Sequence, residues 1–287
     1  GRSISSSGAG DLVTSSSGNT DATATAGGIT HVSGTRYKTG TGRIDLDANG
    51  NIVLAELETN GAVAIESTTG FIRDALNSSA TNITGNLVTL TASTGVGQSA
   101  DNNQDINLSA DTLVLTTDTV GVFIFNDKAV TLGDAGAEEG EGEIKILTSG
   151  DLSLKANVSI DTAKAISAVG NGSVHLETTG DNQDISFGSD VTMTGGSLSL
   201  KTANGDVLQT DGAISTAGIT VDAGGDVTLA QSGNDFTDDV DVKATGNVSL
   251  RDVNAIDLGR IDLTTGTLTV TAVGISQSDE ITQAASG

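Results

Sequence analysis

The sequence predicts an all-β chain wound as a parallel β-helix (a β-solenoid) of about 20 residues per coil. Three observations carry that expectation. Short apolar–polar–apolar runs recur behind Gly-Asp or Gly-Asn steps: Gly150-Asp151-Leu152-Ser153-Leu154, Gly225-Asp226-Val227-Thr228-Leu229 and Gly246-Asn247-Val248-Ser249-Leu250. Alternation over three to five residues is strand periodicity with one buried face, and no stretch sustains the 3.6-residue period of a helix. The chain has 38 Gly and no Pro, as expected where nearly every backbone N–H donates to a ladder. A tandem of β-sandwiches is the competing architecture; it calls for longer hairpin-linked strands and a bulkier aromatic core.

Along the chain the elements follow from composition. Ser3–Gly28 is rich in Ser, Gly and Thr and reads as a linker. Looser copies of the strand phrase start at Gly50, Gly85, Gly172, Gly196, Gly205 and Gly266. The apolar run Val120–Phe125 is expected to cover a coil or plug an end of the solenoid, and Ala135–Glu143 reads as an exposed acidic loop. Asp101–Leu108 returns as Asp181–Phe187, with the Asp-Ile steps 79 residues apart, which fits four coils. The whole chain, 1–287, then forms one continuous solenoid on the order of 14 coils long, with a mildly basic region 1–44 and acidic coils over 45–287. Leu152, Leu154, Val174, Leu176, Leu198, Leu200, Val227, Leu229, Val248, Leu250, Leu268 and Val270 are its expected inward residues.

Composition removes several functions. Without Cys there is no disulfide, zinc–thiolate site or thiol nucleophile. Aromatics at 2% are too few for a base- or sugar-stacking platform. Thirteen Lys and Arg against 37 Asp and Glu give a charge of −24, which argues against nucleic acid and anionic membrane as partners. No apolar run approaches the length of a membrane span. Gly1 opens the chain with neither Met nor a signal peptide, so a processed product or a fragment is expected.

The motifs with chemical content are few. Asp45-Leu46-Asp47-Ala48-Asn49-Gly50 with Glu56 matches the calcium-loop formula, so Asp45, Asp47, Asn49 and Glu56 are the candidate calcium ligands. The flanking residues alternate as strands rather than helices, and a polar turn is the competing reading. Asp235, Asp238, Asp239 and Asp241 form a second acidic cluster that reads as an exposed turn. His31 and His175 lie far apart, no serine has a placeable His–Asp company, and no carboxylate pair is accompanied by a base. The expectation is a protein that is not an enzyme and carries no cofactor, calcium apart.

The last 90 residues add a resemblance. Gly233-Asn234-Asp235-Phe236, Asp252-Val253-Asn254-Ala255-Ile256-Asp257-Leu258-Gly259, Gly266–Ala272 and Gly274-Ile275-Ser276-Gln277 follow in an order that resembles the strand repeats of giant filamentous-haemagglutinin-like surface proteins of Gram-negative bacteria. The resemblance is best over residues 200–287. It implies a right-handed parallel β-helix, an extracellular or cell-surface location, and a role as adhesin shaft or fibre. That family's secretion-domain signature contains Asn-Pro and cannot occur in this chain. The expected partners are further repeats of a longer parent chain or a second copy stacked head to tail. A calcium-dependent matrix module and a polysaccharide-cleaving β-helix are the alternatives.

Overall fold

The structure is a computed structural model that describes residues 4–5, 10–13, 17–99, 104–119, 121–133 and 142–283, the first two segments by their backbone alone. All pairing between strands is parallel, and no helix occurs among the described residues. The chain climbs as a β-solenoid of about 11 turns, with equivalent residues roughly 22 apart. Fewer and longer coils than expected follow from uneven turns: Ile44 stacks on Val63, Val88 on Leu113 and Val122 on Leu152, spacings of 19, 25 and 30 residues. The widest coil carries the acidic insertion between the strands Val130–Leu132 and Ile144–Ile146. Most of that insertion, 134–141, lies outside the described residues, as do Asp101–Asn103 and Val120.

From Leu152 to Arg251 the strands are two to six residues long, alternating inward apolar and outward polar side chains. Stacking puts like residues over like: Leu154, Leu176, Leu200, Val221, Val242 and Ile261 form one interior column. Ile160, Ile185, Val207, Val227 and Val248 form another. Ten of the twelve expected inward residues are buried; Leu268 and Val270 pack on the core but belong to the last described rung and stay partly open. The expected plug is an ordinary strand, Val122–Asn126, with Val122 and Ile124 inside and Phe123 and Phe125 outside. Its two aromatics are outward because alternation gives the inward positions of this strand to Val122 and Ile124. The 79-residue repeat does not mark whole coils. Ile106 shares a column with Ile124, Leu154 and Leu176, whereas Ile185 lies over Ile160 on another face. Asp-Ile is a way of entering a strand, and any corner can use it.

The Gly-Asp phrase has a physical explanation. The Asp184 Oδ1 accepts the Asp206 N–H at 2.8 Å, Asp206 accepts from Asp226 at 2.7 Å, and Asp226 from Asn247 at 2.7 Å. Each side chain thus terminates the backbone of the coil above it. The preceding glycine leaves space for this: a Cβ on Gly225 would stand 2.1 Å from Asp206 Oδ1, and one on Gly246 1.9 Å from Asp226 Oδ1. Corners turning into the interior use hydroxyls and amides instead. Thr202 Oγ1 donates to the Gly205 carbonyl at 2.6 Å, and Gln209 and Asn234 exchange two amide hydrogen bonds of 2.7 and 2.8 Å. Thr202, Gln209 and Asn234 are tolerated in the interior because each finds a partner.

Candidate functional site

The four candidate calcium ligands do not converge. Asp45 and Asp47 belong to the strand Ile44–Ala48, and only Asn49 lies in the turn that follows. Asp45 is held by Arg43, and burial together with the neighbouring Asp21 outweighs that cation and raises its carboxyl above the usual range. Glu56 sits two strands on, in Glu56–Glu58, against Arg36 Nε at 3.0 Å. Among the described residues no group of three or more His, Cys, Asp or Glu is placed to hold a metal. The second cluster is likewise dispersed: Asp241 Oδ1 accepts the Arg260 N–H at 2.6 Å, and Asp235 accepts from Asn254 at 3.2 Å.

Charge is concentrated elsewhere, on the outer side of one sheet. The strands Leu152–Ala156, Val174–Thr178, Leu198–Thr202, Ile219–Ala223, Asp239–Ala244 and the end of Ala255–Leu263 stack in register there. The outward residue next to the last in each reads, rung by rung, Lys155, Glu177, Lys201, Asp222, Lys243, Asp262. Rungs are about 4.8 Å apart, so each of the four inner charges lies between two of the opposite sign, the ends of the column being bounded by Phe125 and Thr282. Glu177 takes Lys201 at 2.7 Å and Lys155 at 3.1 Å, and Lys243 reaches Asp222 at 3.0 Å. Desolvation pushes the Glu177 carboxyl up, but the hydrogen bonds from Lys201 and Lys155 prevail and hold it at about 2. Lys201 is raised in turn, first by its hydrogen bond to Glu177.

Stacking also creates a group that linear reading missed. His175 Nδ1 lies 3.0 Å from Ser199 Oγ, and His175 Nε2 lies 3.5 Å from Glu177. Ser, His and Glu in sequence would serve nucleophilic catalysis, given donors for an oxyanion. Ser199, however, stands mid-strand, paired with His175 on one side and Thr220 on the other, so its neighbouring backbone N–H groups are spent in the ladder. Glu177 is already engaged by two lysines. The group is a polar link between rungs. Beside it, a shallow groove of about 520 Å³ is floored by Thr220, Val221 and Val242 and edged by Asp222, Asp241, Lys243, Arg260, Asp262 and Asp279.

Comparison with known proteins places this region in a repeat class. A family described as repeats of unknown function (DUF5649) matches residues 171–243 and 245–286. Those two stretches contain most of the charged column, from Glu177 onward, and all of the groove. No curated protein and no solved structure matches the chain.

Proposed function

We propose that this chain is a structural element, a stiff shaft or fibre segment of a bacterial cell-surface adhesin or matrix protein, without catalytic activity. One observation carries the reading: the polar side chains that a catalytic site would draw together are engaged along the axis instead. Asp184, Asp206, Asp226 and Asn247 each accept a backbone N–H from the next rung, and Glu177 joins the rungs of Lys155 and Lys201. Side chains used in this way join successive coils, so a load along the axis is spread over many hydrogen bonds. About 11 turns give a rod roughly 50 Å long. The negative charge of −24 keeps such rods dispersed. The surface location rests on the resemblance of residues 200–287 to filamentous-haemagglutinin-like strand repeats. In this reading further rungs, from flanking repeats or from a second copy head to tail, cover Ile275 and Ile281, which are 58% and 40% exposed on the last described rung.

The test is immunolabelling of intact cells of the source organism with an antibody raised against this chain. Labelling without permeabilisation is expected. Labelling only after permeabilisation overturns the surface assignment.

A further inference from the structure

We infer that the charged face is a self-association surface, and that its occupant is a second copy of this chain lying antiparallel across it. The argument is one of symmetry. A column of six charges that alternates in sign is complementary to its own reversal. A two-fold axis between the rungs of Lys201 and Asp222, parallel to the strands, turns the rod end over end and lays each column on its own copy. Lys201 then faces Asp222 of the second copy, Glu177 faces Lys243, and Lys155 faces Asp262, each pair occurring twice.

The neighbouring outward column was not used to find this arrangement, and it agrees. Under the same axis His175 faces Asp241, Ser153 faces Arg260 and Ser199 faces Thr220, with no like charges opposed. Shape agrees as well. The groove beside Asp222 and Asp241 comes to lie under the Lys201 and His175 end of the other copy, whose longer side chains can enter it. Lys201, Lys243 and Asp222 are 50%, 65% and 47% exposed, so each keeps capacity for a further partner.

Charge also permits close approach at this face. The chain as a whole repels its copies, yet three of its 13 basic residues stand in this one column and balance its three acids. At physiological ionic strength repulsion beyond about 8 Å is largely screened, while contacts across the face are not. The face, some five residues wide and six rungs long, covers on the order of 500 Å² per copy. That is below the roughly 800 Å² per partner of a stable complex, so the dimer is weak and exchanging.

The experiment is sedimentation at about 0.15 M salt, on wild type and on the swaps Lys201→Glu and Asp222→Lys. Wild type should form dimers at high micromolar concentration and stop there. Either swap alone opposes like charges and should sediment as monomer. Mixed in equal amounts, the two should pair, because Glu at 201 of one copy then meets Lys at 222 of the other, while the second contact keeps its native Asp222 and Lys201. Circular dichroism checks that each swap retains its fold. The absence of Cys supplies a second route that leaves the charges intact. Ser199→Cys mixed with Thr220→Cys should be joined by a short bis-maleimide, whereas Thr228→Cys, on a different face, should not pair with either. Wild type that stays monomeric, a mixture that does not pair, or assembly that grows past two copies and ignores the swaps overturns the proposal.

Discussion

The rungs over residues 29–117 and those over 152–263 solve the same packing problem with different cross-sections. In the first set two short strands, Ile52–Leu54 and Glu56–Glu58, meet at a bend, and one long strand such as Ile83–Ala92 or Ile106–Thr117 spans the other sides. In the second set the strand below the bend is continuous, as in Leu152–Ala156, and the long side is broken into pairs such as Ile160–Thr162 and Ile166–Ala168. The change occurs where Ile106–Thr117 lies on both Val130–Leu132 and Ile144–Ile146. Interior columns run through it without interruption: Leu115, Ile144, Ile166 and Val191 stay in line. An aliphatic core constrains which residues point inward; it leaves the position of the corners to turn chemistry.

The two regions bury different polar groups at those corners, and that is where they can be told apart. The largest effect should be common to both. Leu90→Asp in the first region and Leu200→Asp in the second each place an unpaired carboxylate at a site now 0–1% exposed. Each should cost about 4 kcal/mol, read as a large fall in the denaturant midpoint. A wild-type midpoint in either variant would mean that its column does not face the core. Leu200→Pro should be worse than Leu200→Ala, since proline also removes a ladder donor.

Acid should then separate the regions. His31, buried beside Tyr37 with ring centroids 4.6 Å apart, is held by desolvation at about 4, below its ordinary 6.5. Between those values the unfolded chain binds a proton that the folded chain refuses, so stability falls as pH drops from 6.5 to 4, by about 3 kcal/mol in all. Hydrogen exchange should show the coils around His31 opening first, and His31→Phe should flatten that slope. If the slope survives the substitution, another group is responsible. The second region has a lower window. Glu177 contributes stability that is complete above the ordinary carboxylate range and is lost as pH falls towards about 2. Glu177→Gln should therefore lower the melting temperature by a few degrees at neutral pH and by nothing near pH 2. The smallest effect expected is that of a chelator. With Asp45 and Glu56 held by Arg43 and Arg36 on separate strands, removing calcium should leave the melting curve in place. A shift of several degrees would reinstate the calcium reading.

How much of this could be read in advance differs between core and surface. Leu152/Leu154, Val174/Leu176 and Leu198/Leu200 announce inward pairs because alternation is local, visible within five residues. The sequence overestimates the number of coils because that number depends on insertions such as that between Leu132 and Ile144, where nothing in the sequence shows which strand lies on which. The charged column was legible in principle, as the residue after each apolar–polar–apolar triplet: Lys155 after Leu152-Ser153-Leu154, Glu177 after Val174-His175-Leu176. Its meaning needs the register, since irregular spacing hides the alternation. The same applies to His175 and Ser199, 24 residues apart in the chain and 3.0 Å apart in space.

The alternating column also restricts how such a rod can change length in evolution. Each coil carries the acceptor that closes its successor, so duplicating or deleting one repeat leaves backbone ends that still fit. The core, nearly the same in every rung, raises no objection either. Charge does. Inserting a single coil between Lys201 and Asp222 would leave two neighbours of one sign in contact, whereas inserting two restores the pattern. A charged coil duplicated within this column therefore keeps the alternation only when two are added together, a parity constraint that coils with a neutral residue at this position escape, as Phe125 and Thr282 do at its ends.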